Sequence, residues 1–297
     1  MDNILQTVDL TKKFGPHTAV DKVNMCIKQG EIYGFIGRNG AGKTTFMRTV
    51  LGLANATSGS FFLFGEKPSA SSNRKIGALI EAPGLYGNCT AYENMKRFAI
   101  LFGSTDEEIK DILEFVGLSD TANKKVDAFS LGMKQRLGIA VALLGNPEFM
   151  ILDEPVNGLD PAGMKEVRDL ILKLNTEKQM TFLISSHLLD ELSKIATKYG
   201  IINNGRLIDE FTTEELAERC RHRLTITVDD TEKALELLTE IIPADDIKTE
   251  KNDIVLFSHI EESARLNRLL VENGIEVSGL TTEADTLEKY FMERIGV

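Results

Sequence analysis

Gly37-Arg38-Asn39-Gly40-Ala41-Gly42-Lys43-Thr44 constrains this chain more than any other stretch. It fits the pattern G-x-x-x-x-G-K-S/T and directly follows Glu31–Ile36, which reads as a strand. Glycines at these places let the backbone curl, so that successive N–H groups converge on phosphate oxygens. The helix that follows adds its positive end. Lys43 then neutralises charge on β- and γ-phosphates, and Thr44 brings a hydroxyl suited to Mg²⁺. The surroundings agree. Ile32–Ile36, Phe149–Asp153, Thr181–Ser185 and Tyr199–Ile202 are short apolar, β-branched runs separated by stretches long enough for crossover helices. An α/β unit with a mostly parallel sheet is expected.

Two further segments carry matching chemistry. Phe149–Asp153 runs on into Glu154 and Pro155, an apolar strand ending in two carboxylates. Such a strand delivers Asp153 to a metal ion and Glu154 to a water beside the γ-phosphate, where Glu154 acts as general base or orients the water. In Phe129-Ser130-Leu131-Gly132-Met133-Lys134-Gln135-Arg136, Ser130 can cap the helix that follows and Gly132 lets an anion approach. Each segment also has a plainer reading: a glycine-rich turn, a solvated acidic turn and a simple N-cap.

Residues 85–145 are almost purely helical in pattern. Thr90-x-x-Glu93 and Thr105-x-x-Glu108 read as capping boxes, and Ile109, Ile112, Leu113 and Val116 form one apolar stripe ended by Gly117. A helical subdomain inserted in the α/β unit is the simplest account. After about Cys220 the pattern changes again. Strand Leu224–Val228, helix Thr231–Ile242, a hairpin of Asp246–Glu250 with Ile254–Phe257, helix Glu262–Asn273, strand Ile275–Leu280 and helix Ala284–Ile295 give βαββαβ plus a helix. That order is ferredoxin-like. The expected domains are 1–217, an ATPase unit, and 218–297, a small α+β unit. The basic run Arg219-Cys220-Arg221-His222-Arg223 reads as a solvated face at their junction.

The chain has 34 Lys plus Arg against 45 Asp plus Glu, a formal net charge of −11. This argues against broad contact with nucleic acid or an anionic membrane. Three separated cysteines (Cys26, Cys89 and Cys220) fit neither a disulfide framework nor a zinc site, and a reducing compartment is expected. The start reads as no secretory signal. The longest apolar run, Gly138–Leu144, falls far short of the about 20 residues a spanning helix needs, so no direct membrane insertion is expected.

Residues 1 to about 215 resemble the nucleotide-binding subunit of an ATP-binding cassette (ABC) transporter, a P-loop NTPase of RecA-like fold. The features follow the family's order: the phosphate loop Gly37–Thr45, a Q-loop-like segment at Glu81, the signature at Ser130–Gln135, Asp153-Glu154, the D-loop Asn157-Gly158-Leu159-Asp160, and His187 after Ser185-Ser186. The resemblance implies that Phe14 stacks on adenine, although a packing role at a strand edge remains open. It implies that Gly37 through Thr45 hold the triphosphate, that Asp153 assists Mg²⁺, that Glu154 serves the water, and that His187 touches the γ-phosphate. It implies that Ser130, Gly132 and Gln135 act on ATP held by a second copy, in a head-to-tail homodimer. His17, His222 and His259 are expected on the surface or in packing.

Two departures stand out. Glu81 replaces the family's usual Gln and could bind Mg²⁺ or its water. Phe129, Leu131 and Met133 replace the common Leu, Gly and Gln. Glu81 with Pro83-Gly84-Leu85-Tyr86 resembles exporters of peptide antibiotics such as bacitracin and the lantibiotics, which often carry a C-terminal extension of this size. The closing helix either completes its own small core or packs on the cassette or its twin. The expected function is ATP hydrolysis energising a separate membrane permease, with the chain peripheral on the cytoplasmic face through that permease. The competing class is a non-transport ABC ATPase acting on nucleic acid or the ribosome. A third is a module that binds ATP without turnover, against which Glu154 and His187 both argue.

Overall fold

The computed structural model describes residues 2–121, 123–219, 222–284 and 287–295. The chain divides into two compact units, Met1–Thr213 and Glu214–Val297.

In the first unit, β1 (Asn3–Phe14), β2 (His17–Val23), β3 (Cys26–Lys28) and, beyond β4 (Ile32–Ile36) and α1 (Lys43–Val50), β5 (Ser58–Leu63) lead the chain. There follow α2 (Ala70–Arg74), β6 (Ile76–Leu79), α3 (Ala91–Phe102), α4 (Asp106–Phe115), α5 (Leu131–Ala142) and β7 (Phe149–Asp153). The unit closes with α6 (Pro161–Lys178), β8 (Thr181–Ser186), α7 (Leu189–Leu192), β9 (Lys198–Asn203) and β10 (Arg206–Thr212).

Six of these strands form the main sheet, in the order β10-β9-β4-β8-β7-β6. All its pairs are parallel except β9 with β10. Every residue of β4, β7 and β8 is buried, as expected of strands covered on both faces. The register sets Ile36 beside Ser186 and Asp153 beside Ser185, so the carboxyl ends of β4, β7 and β8 finish together. That edge is where open parallel sheets bind ligands. A second, antiparallel sheet holds β1 between β2 and β3, with β5 also paired to β1. Phe46 and Met47 of α1 share one core cluster with Leu5 and Leu10 of β1 and with Phe35, Phe149 and Leu183 of the main sheet. The rings of Phe35 and Phe46 meet at 5.2 Å. Tyr33, fully buried, donates its hydroxyl to Glu210 Oε1 at 2.8 Å. Burial, reinforced by the Glu210 charge, holds this phenol's pKa well above its ordinary value.

The helical insertion forms as its sequence dictates. Thr90 with Glu93 and Thr105 with Glu108 make complete capping boxes at α3 and α4. Ile109, Leu113 and Val116 are buried, Ile112 is half-buried, and Gly117 closes the helix at φ 69. Asn94 is fully buried. Its amide accepts from Tyr86 N at 2.8 Å and donates to Tyr86 O and Thr90 O at 3.0 and 2.9 Å, which ties the segment after Glu81 to α3.

In the second unit, α8 (Thr213–Arg219) leads into β11 (His222–Val228), α9 (Thr231–Thr239), β12 (Ile247–Glu250), β13 (Asp253–Leu256), α10 (Ser263–Glu272), β14 (Val277–Ala284) and α11 (Leu287–Ile295). The antiparallel order β12-β13-β11-β14 is the ferredoxin-like one. Leu224, Ile226, Leu238, Leu256, Leu266 and Leu270 form its core. The first helix ends at Thr239 rather than Ile242, because Pro243 pushes the residue before it out of the helical region. The last strand starts at Val277 and extends to Ala284, where it pairs with His222 of β11. Of the basic run, Cys220 and Arg221 lie outside the described residues, as do Asp285 and Thr286 of the expected closing helix.

Gly77 in β6 has no room for a side chain: a Cβ there would lie 2.2 Å from the Ala142 carbonyl oxygen and 2.4 Å from Met150 Sδ. Gly77→Ala should lower stability by about 1–3 kcal/mol, read as a reduced urea midpoint. Gly84→Ala, where nothing lies within 4 Å, should leave the midpoint unchanged.

Candidate nucleotide-binding and hydrolysis site

The phosphate loop leaves β4 and enters α1 at Gly42, whose φ of 111° is open to glycine and rarely to other residues. A Cβ at Gly42 would also lie 2.4 Å from the Ala19 carbonyl oxygen. No side chain caps α1, so its first N–H groups are left to an external acceptor. Gly40, at φ 82, has open space where its Cβ would be, which suits close approach of a ligand to the backbone. A cleft of about 350 Å³ opens over this loop. Arg38, Asn39, Gly40, Gly42, Lys43, Thr44, Thr45 and Glu154 line it. Gly37 and Ala41 sit beneath it: the Gly37 carbonyl accepts from Lys43 Nζ at 2.5 Å, and the Ala41 N–H is committed to Arg38 O at 3.0 Å.

Lys43 is 5% exposed and lies 3.2 Å from Glu154 Oε1. That oxygen is buried and lacks an aligned hydrogen bond, so the contact is an ion pair and the oxygen keeps its accepting capacity. His187 Nδ1 is 2.7 Å from Glu154 Oε2, and the His187 N–H donates to the same oxygen at 3.3 Å. Glu154 sits at φ 51, an uncommon backbone state for a residue with a side chain. Thr44 Oγ1 donates to Asp153 Oδ2 at 2.7 Å, and Ser185 Oγ donates to Asp153 Oδ1 at 2.5 Å. Lys43, Thr44, Asp153, Glu154 and His187 are thus one connected cluster, drawn from the start of α1 and the ends of β7 and β8.

Phe14 also lines this cleft, 53% exposed, with Lys12 Nζ 4.8 Å from its ring centroid. A half-exposed ring at a cleft wall is free to stack on a planar ligand. His17, expected on the surface or in packing, is exposed and also lines the cleft. The signal for it was the turn Gly15-Pro16, which makes residues 14 and 17 direct cross-strand partners. Ser185 was likewise missed; a hydroxyl at the end of a buried strand was its only mark.

Four expected residues, Ser130, Gly132, Gln135 and Glu81, do not line this cleft. Ser130 caps α5, its Oγ accepting from Met133 N at 3.2 Å. Gln135 is buried, and a Cβ on Gly132 would reach 3.6 Å from Gly163 Cα, so α5 starts close to the start of α6. Asp160 caps α6 by accepting from Gly163 N at 3.1 Å. Leu131, where the family commonly has Gly, is half exposed. Glu81, at φ 63, bonds Arg48 Nη2 at 2.8 Å, with both side chains largely exposed. That ion pair, rather than a contact with Thr44 or Asp153, is its partner in the structure.

A phosphate loop on the carboxyl edge of a parallel sheet, facing two carboxylates, defines a P-loop nucleoside triphosphatase. Residues 20–157 match the family model described as ABC transporter. The bacitracin transport ATP-binding protein BcrA of Bacillus licheniformis is 46% identical over 301 residues, spanning 100% of this chain and 98% of BcrA. The lantibiotic transport ATP-binding protein SrtF of Streptococcus pyogenes is 45% identical over 207 residues, spanning 70% of this chain and 90% of SrtF. A solved dimeric cassette, MJ0796 in a post-hydrolysis state bound to ADP and Pi, is similar at TM-score 0.63 and 26% identity, covering 70% of this chain and 98% of that one. The chain belongs to the ATP-binding subunits of ABC transporters, which bind nucleotide and hydrolyse ATP to power transport. Among the described residues, no helix is long and apolar enough to cross a membrane.

Lys43→Ala should weaken ATP binding by about 10–100-fold, the range of one to two lost charge-assisted hydrogen bonds. Titration calorimetry with ATP measures this. Unchanged affinity would contradict the phosphate-loop role.

Proposed function

We propose that this chain is the ATPase of an exporter of peptide antibiotics or similar amphipathic compounds, working as a head-to-tail homodimer under a separate permease. Residues 1–217 are the ATPase domain in this reading and residues 218–297 an accessory α+β domain. The support for the substrate class is that the likeness to BcrA runs through both units rather than the cassette alone. Two chains are needed because Ser130 and Gly132 stand at a helix start away from their own chain's cleft, ready to face ATP held by a partner. The chain reaches the membrane by contact with the permease, and Glu81 and the helical insertion lie on that route. The acidic balance and single cassette speak against the nucleic-acid or ribosomal alternative.

The observation that carries the catalytic reading is the contact of Thr44 Oγ1 with Asp153 Oδ2 beside the Lys43–Glu154–His187 cluster. Two adjacent hard oxygen donors fit Mg²⁺, which takes one or two protein oxygens beside phosphates and waters. Thr44 and Asp153 would hold the ion, which would supply neutralisation of charge on the phosphates. The loop amides and Lys43 hold the phosphates. Glu154 accepts the proton of the attacking water or orients it. His187 holds the γ-phosphate from the other side. Phe14 stacks on the base.

Glu154→Gln should keep ATP binding and lower kcat by about 10²–10⁴-fold. With ATP and Mg²⁺ it should elute from a sizing column as a dimer. A variant that hydrolyses at the wild-type rate would remove Glu154 from the mechanism. Co-expression with an adjacent permease should raise bacitracin or lantibiotic tolerance in a sensitive host. If tolerance appears only to unrelated compounds, the substrate class is wrong while the ATPase assignment stands.

A further inference from the structure

Ser185 lies fully buried at the floor of the site. It is the register partner of Asp153 across the parallel pair β7–β8. Its hydroxyl has a single proton, and the two bonds it makes fix where that proton goes. The Glu154 N–H points at Ser185 Oγ from 2.9 Å, so Oγ accepts there. The proton of Oγ is therefore available to Asp153 Oδ1 at 2.5 Å, and an ionised carboxylate can only accept.

We propose that Ser185 is a positioning residue for hydrolysis, one hydroxyl that sets the Asp153 oxygen facing the metal and anchors the backbone of Glu154. With Oδ1 engaged by Ser185, Asp153 presents Oδ2 to Thr44, and the carboxylate cannot turn without breaking one of two short bonds. Glu154 is the second client. Its left-handed backbone, at φ 51, aims its side chain at Lys43 and His187, and its N–H is held by Ser185 Oγ. The Ser185 carbonyl oxygen also lies 3.2 Å from Glu154 N. Loss of the hydroxyl therefore leaves that N–H with a partner but takes from buried Asp153 Oδ1 its donor, so the change falls first on the aim of the two carboxylates. Groups that orient metal ligands commonly change affinity or activity by about 10–100-fold when removed.

This inference rests on the roles proposed above for Asp153 and Glu154. The test uses the full chain with Ser185→Ala, Ser185→Cys and Asp153→Asn. Affinity for a non-hydrolysable ATP analogue is measured by calorimetry in EDTA and in Mg²⁺, and kcat and KM are measured separately. Ser185→Ala should bind the analogue in EDTA as the wild type does. It should lose about tenfold of the affinity gained with Mg²⁺, and its kcat should fall about 10–100-fold with a smaller change in KM. Ser185→Cys restores the volume but only a weak donor, so it should remain as impaired as the alanine variant while binding the analogue in EDTA as the wild type does. Wild-type Mg²⁺ dependence and kcat in Ser185→Ala, or full recovery in Ser185→Cys, would overturn the proposal. If Asp153→Asn also leaves the Mg²⁺ gain intact, the assignment of Asp153 itself fails. If Asp153→Asn abolishes the gain and Ser185→Ala does not, only the role of Ser185 is lost.

Discussion

The site depends on one buried carboxylate held from two sides. Asp153 is 4% exposed, and Thr44 and Ser185 each donate to one of its oxygens. Those donors come from α1 and β8, and the carboxylate from the end of β7, the strand beside β8. The arrangement exists only because the three strands β4, β7 and β8 end in step. A slip of one residue in β7 would turn Asp153 to the opposite face and carry Glu154 with it. Close packing resists the slip: every residue of β7 is covered, so a shifted register would force each side chain to repack. The apolar sequence Phe149–Leu152 is thus as necessary to the chemistry as the acid that follows it.

Much of this was legible because the signals are local. β4 and β7 are bounded as expected, since each is an apolar run stopped by a glycine loop or an acidic pair. The two capping boxes were readable because a threonine and a glutamate three residues apart satisfy each other's backbone without distant help. The N-terminal antiparallel sheet was not readable. β1 mixes polar and apolar residues, its register shifts between Leu10 and Lys12, and Asp9 takes a positive φ of 47°, so the two-residue period is broken. The partner of Glu81 was also hidden: Arg48 lies 33 residues earlier, and no spacing rule links a loop carboxylate to the outer face of a helix. Ser185 escaped for the same reason, its partners lying 31 and 32 residues away on a neighbouring strand.

Charge balance within the cleft links binding to chemistry. Lys43 is nearly fully buried, and a buried ammonium requires a nearby anion. Glu154 supplies one at 3.2 Å, and the Gly37 carbonyl supplies an acceptor at 2.5 Å. A triphosphate offers far more negative charge to the same cation, so it competes with Glu154 for Lys43. The competition has a direction. Lys43 turned toward phosphate releases Glu154 Oε1, the oxygen that already has no aligned hydrogen bond, and an oxygen so released can accept from water. His187 shares the other oxygen, Oε2, through its side chain and its backbone N–H. Because its backbone bond is independent of the ring, the ring could turn to the γ-phosphate, as proposed above, while the N–H still held the carboxylate in place. On the role proposed above for Glu154, its carboxylate would gain a free oxygen and keep its anchor when the substrate's own charge arrives, which would make readiness for hydrolysis a consequence of filling the cleft.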